Sequence, residues 1–217
     1  RPIAEGIISP KNALIFAIIL AIISFLSLLL INNLLSALLA LGGGFFYVAI
    51  YTLYLKKRTI QNIVVGGSAG AFPPLVGYAA VSNTITLEAI YLFVIIFFWT
   101  PPHFWALAIM IKDDYAKAKI PMLPVVKGVE NAALQIFLYS ILLILITTLT
   151  ILVSPSLGSI YLISSLVLGI ILIYRSFRLY KSLDRSDAVS TYKYSLLYLF
   201  LLMGAVMIDS SVNFLEF

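Results

Sequence analysis

The sequence has no cysteine and little charge, since only 11% of its 217 residues are Asp, Glu, Lys or Arg. An ordinary soluble domain carries about 25% charged residues. Without cysteine there are no disulfide bridges, zinc–thiolate sites, iron–sulfur clusters or cysteine nucleophiles. The scarcity of charge, with a hydrophobic fraction of 62% and a mean hydropathy of +1.10, excludes a soluble globular protein.

Long uncharged stretches dominate instead, at 12–55, 59–87 and 131–174, and 89–111 contains no Asp, Glu, Lys or Arg and one histidine, His103. One membrane-spanning helix needs about 20 apolar residues, so the two longest stretches, each with a polar break near its middle, are predicted to be helical pairs. The fold class is therefore an all-α polytopic transmembrane bundle, with one transmembrane domain over 1–217. The predicted spans are 13–31, 35–55, 63–81, 87–111, 132–153, 157–175 and 194–213.

The basic residues all fall on one side of this arrangement. They are Arg1, Lys11, Lys56, Lys57, Arg58, Lys112, Lys117, Lys119, Lys127, Arg175, Arg178, Lys181, Arg185 and Lys193. The opposite side has Glu88, Asp209 and Glu216 and no base. The positive-inside rule predicts that the N-terminus and three basic loops, the longest at 175–193, are cytoplasmic and that the C-terminus lies outside. The net charge of +5 is thus a topology signal, and no nucleic-acid partner is predicted.

The first basic loop combines aromatic and cationic side chains. It contains Tyr51, Tyr54, Lys56, Lys57, Arg58 and Asn62. One interpretation is an ordinary positive-inside flank with an aromatic belt, in which Asn62 caps the next helix. The other is a site for an anionic headgroup or a diphosphate, whose charge requires several cations.

The second basic loop contains two adjacent carboxylates, Asp113 and Asp114, between Lys112 and Tyr115. Mg²⁺ usually binds proteins through one or two carboxylates together with substrate phosphates. The pair is therefore a candidate magnesium site. The alternative is a solvated pair that balances the neighbouring lysines.

Two double prolines, Pro73-Pro74 and Pro101-Pro102, lie inside predicted spans, where each proline removes a backbone donor. We expect them to break their helices and to mark a cavity, because freed carbonyls in hydrocarbon need protein or a cavity. The small residues 66–71 alternatively indicate close helix packing.

His103 is the only histidine. If its helix continues to Asp114, the two residues share a face about 16 Å apart along the axis. His103 would then lie in the cavity; the alternative is a hydrogen-bonded helix-packing residue.

Taken together, these motifs resemble the haem O synthase (protohaem IX farnesyltransferase) branch of the UbiA-type intramembrane prenyltransferases. The matching runs are 51–62 with Gly66-Gly67 and Pro73-Pro74, then 99–108, then Asp114-Tyr115 with 120–126. The family has a helical bundle of typically nine spans, with two polar motifs at its cytoplasmic mouth. Arg1-Pro2 resembles the close of the first motif, so we expect an N-terminally incomplete chain that lacks two spans.

The resemblance implies transfer of a farnesyl group from farnesyl diphosphate to a vinyl group of haem B, which makes haem O for haem–copper oxidases. It implies catalytic roles for Lys56, Arg58, Asp114 and Tyr115, and Mg²⁺ held by Asp113 and Asp114. The implied substrate-binding residues are Arg1, Tyr51, Tyr54, Asn62, Trp99, His103 and Lys112. Haem B is a substrate here. Membrane lipid, and haem A synthase or an oxidase assembly, are the implied partners, in a prokaryotic plasma membrane.

Two other functions remain open at this point. One is a UbiA-type transferase with another acceptor, such as an aromatic acid or a lipid. The other is a small-molecule transporter, since broken helices around a polar midplane residue also occur in transporters. Bound haem in a visible absorption spectrum would favour farnesyl transfer to haem B over both of these alternatives.

Overall fold

A computed structural model describes residues 2–3 and 5–214, with side chains described up to residue 212. This part of the chain is helical and contains no strand. The long helices are α1 (Pro10–Ile31), α2 (Leu34–Phe45, continued by a π-helix over Phe46–Leu55), α3 (Asn62–Ser82), α4 (Leu87–Met110), α7 (Gly128–Leu149), α8 (Ser159–Ser182) and α9 (Arg185–Phe214). Two short helices, α5 (Lys112–Lys117) and α6 (Leu123–Val126), connect α4 to α7.

Seven helices of the described chain are long and apolar enough to cross a membrane, which confirms the predicted all-α membrane-spanning fold. Contacts join the basic segments at one end of the bundle: the Asn62 amide lies 3.4 Å from the Pro121 carbonyl, and the Arg185 guanidinium donates to the Met110 carbonyl at 3.3 Å. We call this the basic end, and the other the far end. Most helix bounds lie within four residues of the predicted spans.

The expected long loop at 175–193 is wrong. Helix α8 continues to Ser182 and α9 begins at Arg185, leaving a turn of two residues. Polar contacts between the two helix ends hold this extension: Arg178 pairs with Asp187 at 3.1 Å, and Ser182 donates to the same carboxylate at 2.7 Å. Polarity showed where hydrocarbon ends, but these contacts keep the backbone helical beyond that point.

The expected helix breaks at the double prolines are also wrong, because α3 and α4 run continuously through them. Pro101 and Pro102 are buried where α4 packs against α3, α7 and α9. A membrane helix tolerates such prolines when neighbouring helices enclose it and local polar groups support the turn. In that turn, the Thr100 hydroxyl donates to the Ile96 carbonyl at 2.8 Å.

Helix α4 is the centre of the bundle. Half of its most apolar segment is buried, a larger share than in any other long helix described. Two clusters of buried side chains divide the core, one around Trp105 and Ile136 toward the basic end and one around Tyr161 and Tyr198 toward the far end. Helix α1, by contrast, packs on α2 and has no buried residue.

Two polar side chains tie helices together at the far end. Asn33 caps α2 by accepting from the Ser36 N–H at 2.9 Å, and its amide donates to the Ala79 carbonyl of α3 at 2.6 Å. Asp209 of α9 accepts from the N–H groups of Gly158 and Tyr161 at the start of α8, at 2.5 and 2.9 Å. Asp209 is therefore a helix cap supplied by another helix.

We expect Asp209→Ala to destabilise the bundle by about 1–2 kcal/mol, because it leaves two N–H groups at a helix start without their charged acceptor. Asp209→Asn keeps one acceptor oxygen and should lose less. Thermal unfolding in detergent measures both, with Ser211→Ala as the control, since Ser211 bonds only within its own helix. Equal melting temperatures for all three variants would contradict this role.

Candidate functional site

A cavity of about 460 Å³ opens between α3, α4 and the π-helical end of α2, near the basic end. Its wall combines glycines with aromatic side chains. The lining residues are Gly43, Gly44, Tyr47, Tyr51, Ile63, Gly66, Gly67, Ala69, Gly70, Ile96, Trp99, Thr100 and Phe104. Apolar walls with a few polar groups are typical of a small-molecule site.

The glycines form this space and also allow close packing, so both interpretations of the small residues apply. A Cβ on Gly66 would overlap the Tyr51 ring, and one on Gly67 would meet the Thr100 side chain. A Cβ on Gly70 would meet nothing within 4 Å. The first two glycines therefore bring helices together, while the third faces open space.

The π-helix at Phe46–Leu55 supplies two tyrosines to the cavity wall. Its wider turn is visible at its end, where the Lys56 N–H donates to the carbonyl of Tyr51, five residues earlier, at 2.8 Å. The rings of Tyr47 and Tyr51 lie 5.6 Å apart. π-Helical turns are rare and often occur at functional sites.

Asn62 joins the two basic loops at the mouth of the cavity. Its side-chain amide lies 3.4 Å from the Lys56 carbonyl and 3.4 Å from the Pro121 carbonyl, and only 1% of the residue is exposed. The Lys56 ammonium lies 6.0 Å from the centre of the Tyr51 ring. The structure thus brings together three predicted site residues. Asn62 begins α3, but the expected capping role is wrong, because Gln61 is the cap residue and no side-chain hydrogen bond caps this helix.

Tyr115 of α5 belongs to the same neighbourhood, because it packs against the buried cluster that includes Ile63, which also lines the cavity. Burial raises the pKa of Tyr115, since a phenolate loses solvation there. The phenol therefore remains protonated at neutral pH and can donate a hydrogen bond to an anionic group.

Other predicted site residues lie on the surface of the basic end. The Arg58 guanidinium sits 4.5 Å from the centre of the exposed Tyr54 ring. Lys112, Asp113 and Asp114 are exposed at the start of α5. Among the described residues neither aspartate has an ion-pair partner. Arg1 lies outside the described residues.

The aspartate pair fits Mg²⁺ only with additional ligands. No group of three or more Asp, Glu or His side chains able to hold a metal occurs in the described chain. Two unpaired, exposed carboxylates are nevertheless the donor set that a largely hydrated Mg²⁺ uses together with phosphate oxygens.

His103 is packed toward α9. Its ring stacks between Trp99 and Tyr192, with centroid distances of 4.3 and 4.7 Å. Its Nδ1 lies 2.8 Å from the Ser195 hydroxyl oxygen, and that hydroxyl donates to the Tyr192 carbonyl at 2.7 Å. Because Ser195 has already used its hydrogen, His103 donates through Nδ1–H.

The condition for placing His103 and Asp114 on one helical face is not met. Helix α4 ends at Met110, and Ile111, with φ −123° and ψ 33°, separates it from α5. His103 is also absent from the described lining of the cavity, whereas its stacking partner Trp99 is present. The packing interpretation of His103 is therefore the one the geometry favours.

Several site features had no clear sequence signal. Tyr47 and Phe104 were not among the predicted site residues, although both line the cavity. Tyr192 and Ser195, which hold His103, lie on either side of the boundary between the predicted loop at 175–193 and the predicted span at 194–213. Their long separation from His103 in the chain leaves no local pattern to detect.

The model of the UbiA prenyltransferase family matches residues 1–208. The chain belongs to the UbiA prenyltransferase family. This family assignment is consistent with the seven apolar helices and places the chain among integral membrane proteins.

Relatives within the UbiA family are similar over nearly the whole chain. A protoheme IX farnesyltransferase of Thermus thermophilus is 52% identical over 98% of this chain and 35% of its own length. The enzyme of that name from Picosynechococcus sp. is 49% identical, covering 97% of this chain and 67% of the relative. The corresponding values for Neorickettsia sennetsu are 48%, 98% and 70%. No solved structure matches.

The chain thus spans about a third of the Thermus relative and about two thirds of the Picosynechococcus one. The family assignment itself holds for the residues present.

Proposed function

We propose that this chain transfers a farnesyl group from farnesyl diphosphate to a vinyl group of haem B, giving haem O for a haem–copper oxidase. The observation that supports this most is the 48–52% identity to protoheme IX farnesyltransferases over nearly the whole chain. The cavity beside the two basic loops supports it physically, because an apolar prenyl chain and a charged diphosphate need adjoining apolar and cationic surfaces.

In this proposal the diphosphate binds at the mouth of the cavity. Lys56 and Arg58 offset its charge, and Tyr115 donates a hydrogen bond to it. Asp113 and Asp114 would hold Mg²⁺, which would supply positive charge to the leaving diphosphate. Arg1, Lys112 and Tyr54 complete the diphosphate-binding set.

The prenyl chain lies in the cavity, against Tyr51 and Trp99. These aromatic walls exclude bulk water from the allylic cation until the vinyl group attacks it. The water that completes the hydroxyethylfarnesyl side chain adds after carbon–carbon bond formation. Asn62 holds the two basic loops in register beside the reacting groups.

The positive-inside rule places the basic end, and hence the active site, on the cytoplasmic side of a prokaryotic plasma membrane, with the C-terminus outside. Haem A synthase or an oxidase assembly is the proposed recipient of the product. Membrane lipid surrounds the seven helices.

Product analysis tests the proposal. Purified protein in detergent, given farnesyl diphosphate, haem B and Mg²⁺, should form a porphyrin carrying the hydroxyethylfarnesyl group, identified by its mass. An aromatic acid or a glycerol-phosphate lipid supplied in place of haem B should give no prenylated product. Prenylation of one of these acceptors and not of haem B would assign the chain to another branch of the family. Prenylation of none of them would contradict the proposed reaction.

A further inference from the structure

A second, separate pocket of about 240 Å³ lies between the start of α3, α4 and the start of α7, at the basic end. Its polar side chains are those of Gln61, Trp105, Lys127, Asn131, Gln135 and Tyr139. We call this group the polar pocket.

The polar pocket faces away from the cavity between α3, α4 and the π-helix. Phe104 lines the cavity and its neighbour Trp105 lines the polar pocket, because consecutive residues of a helix point about 100° apart. At the start of α3, Gln61 likewise lines the polar pocket and Ile63 lines the cavity. A ligand in one site is therefore separated from the other by the wall that these side chains form.

Trp105 lines the polar pocket and carries a hydrogen-bond donor with no acceptor in the described part of the chain. The residue is only 3% exposed, and its ring meets the ring of Tyr139, which also lines the pocket, edge to face at 5.3 Å. Trp99 makes a useful contrast, since its indole N–H donates to the Ser195 carbonyl at 2.7 Å. An unsatisfied buried donor is costly, so an acceptor that reached the Trp105 N–H from the pocket would be stabilised there.

The other side chains of the polar pocket indicate what that acceptor is. Lys127 supplies a positive charge, the amides of Gln61 and Asn131 and the phenol of Tyr139 can donate, and no carboxylate is among the described lining residues. A carboxylate offers about four lone-pair sites on two oxygens. A phosphate group has more oxygens and suits a larger, three-dimensional set of donors.

We propose that the polar pocket binds a phosphate group, with Lys127 as the charge partner and the Trp105 N–H as a hydrogen-bond donor. This site is distinct from the proposed diphosphate site and does not depend on the proposed prenyl transfer. Its place at the end of the membrane helices suits the phosphate of an anionic lipid headgroup, and free phosphate carries the same chemistry.

Tryptophan fluorescence offers a direct test, because the chain has only two tryptophans. In Trp99→Phe the emission comes from Trp105 alone. The protein is kept in a maltoside detergent, which contains no phosphate, and titrated with inorganic phosphate or with phosphatidylglycerol. We expect a saturable change in emission with at least one of them. A response to phosphatidylglycerol alone identifies a lipid headgroup, and a response to inorganic phosphate identifies a site open to the free ion.

Lys127→Gln should weaken this binding by about tenfold, since it removes a charge-assisted contact. Lys117→Gln is the matched control, because Lys117 is exposed and lies outside the polar pocket. If Trp99→Phe does not fold, the difference between the unmodified protein and Trp105→Phe gives the same signal. An equal response to sodium chloride, no response, or unchanged affinity in Lys127→Gln would overturn the proposal.

Discussion

Asp114→Asn should lower the rate of prenyl transfer by about a hundredfold, because it removes a charged ligand for the metal that offsets diphosphate charge in the transition state. Asp114 is exposed and has no ion-pair partner among the described residues, so its loss breaks no internal bridge. The melting temperature should therefore stay close to that of the unmodified protein. Haem binding should also persist, since the proposed partner of Asp114 is the metal diphosphate and not the acceptor.

The measurement is the rate of product formation over a magnesium titration. Asp184→Asn is the control, because Asp184 is also exposed at the basic end but belongs to the turn between α8 and α9. This control should keep the unmodified rate. An Asp114→Asn variant with an unaltered rate and magnesium dependence would show that the aspartate pair is only a solvated surface feature.

His103→Ala should give the second large effect, a loss of stability. The substitution empties a buried space between two stacked rings and removes a hydrogen bond to Ser195. We expect a cost of about 2–4 kcal/mol, visible as a melting temperature lower by several degrees. Affinity for haem B, followed by its visible spectrum, should change little in the fraction that remains folded.

Ser195→Ala separates packing from hydrogen bonding, since it leaves the His103 ring in place. It should lose less stability than His103→Ala. If His103→Ala instead left the melting temperature unchanged and altered the haem spectrum, His103 would be a haem contact.

The number of helices was predictable because each span is a local property of the sequence. Uncharged stretches of the right length, with bases at alternate ends, determine which segments cross hydrocarbon. The positions where helices end in polar surroundings were less predictable. Contacts of Asp187 with Arg178 and Ser182 join the end of α8 to the start of α9, and such contacts exist only once the two helix ends have come together.

The proline pairs illustrate a second limit. Pro101-Pro102 predicts a broken helix from local chemistry, yet α4 is enclosed by α3, α7 and α9 and remains continuous. A cavity was still correctly expected near these motifs, but the helices beside it are unbroken, and its open space lies at glycines such as Gly70, where an added Cβ would meet nothing within 4 Å. The sequence pattern therefore predicted where the cavity lies but not what forms it.

Site residues were predictable where their neighbours are close in the chain, and not where their partners come from a distant helix. The run from Tyr51 to Asn62 predicted a site because its residues are close in the chain, and the cavity lies beside it. The environment of His103 was not predictable, because Tyr192 and Ser195 come from α9. The cap at Asp209 also depends on a distant partner, since its acceptor role appears only once α8 and α9 are adjacent.

The central claim is that the prenyl chain occupies the cavity between α3, α4 and the π-helix, and a cavity-filling pair of variants tests it. Gly70→Leu adds a side chain into open space within the cavity, and Gly204→Leu does the same in a groove on α9. The measurement is the affinity for farnesyl diphosphate in detergent, with melting temperature recorded for both variants. Our account predicts binding at least tenfold weaker in Gly70→Leu and unchanged in Gly204→Leu. Unmodified affinity in a folded Gly70→Leu protein would contradict it.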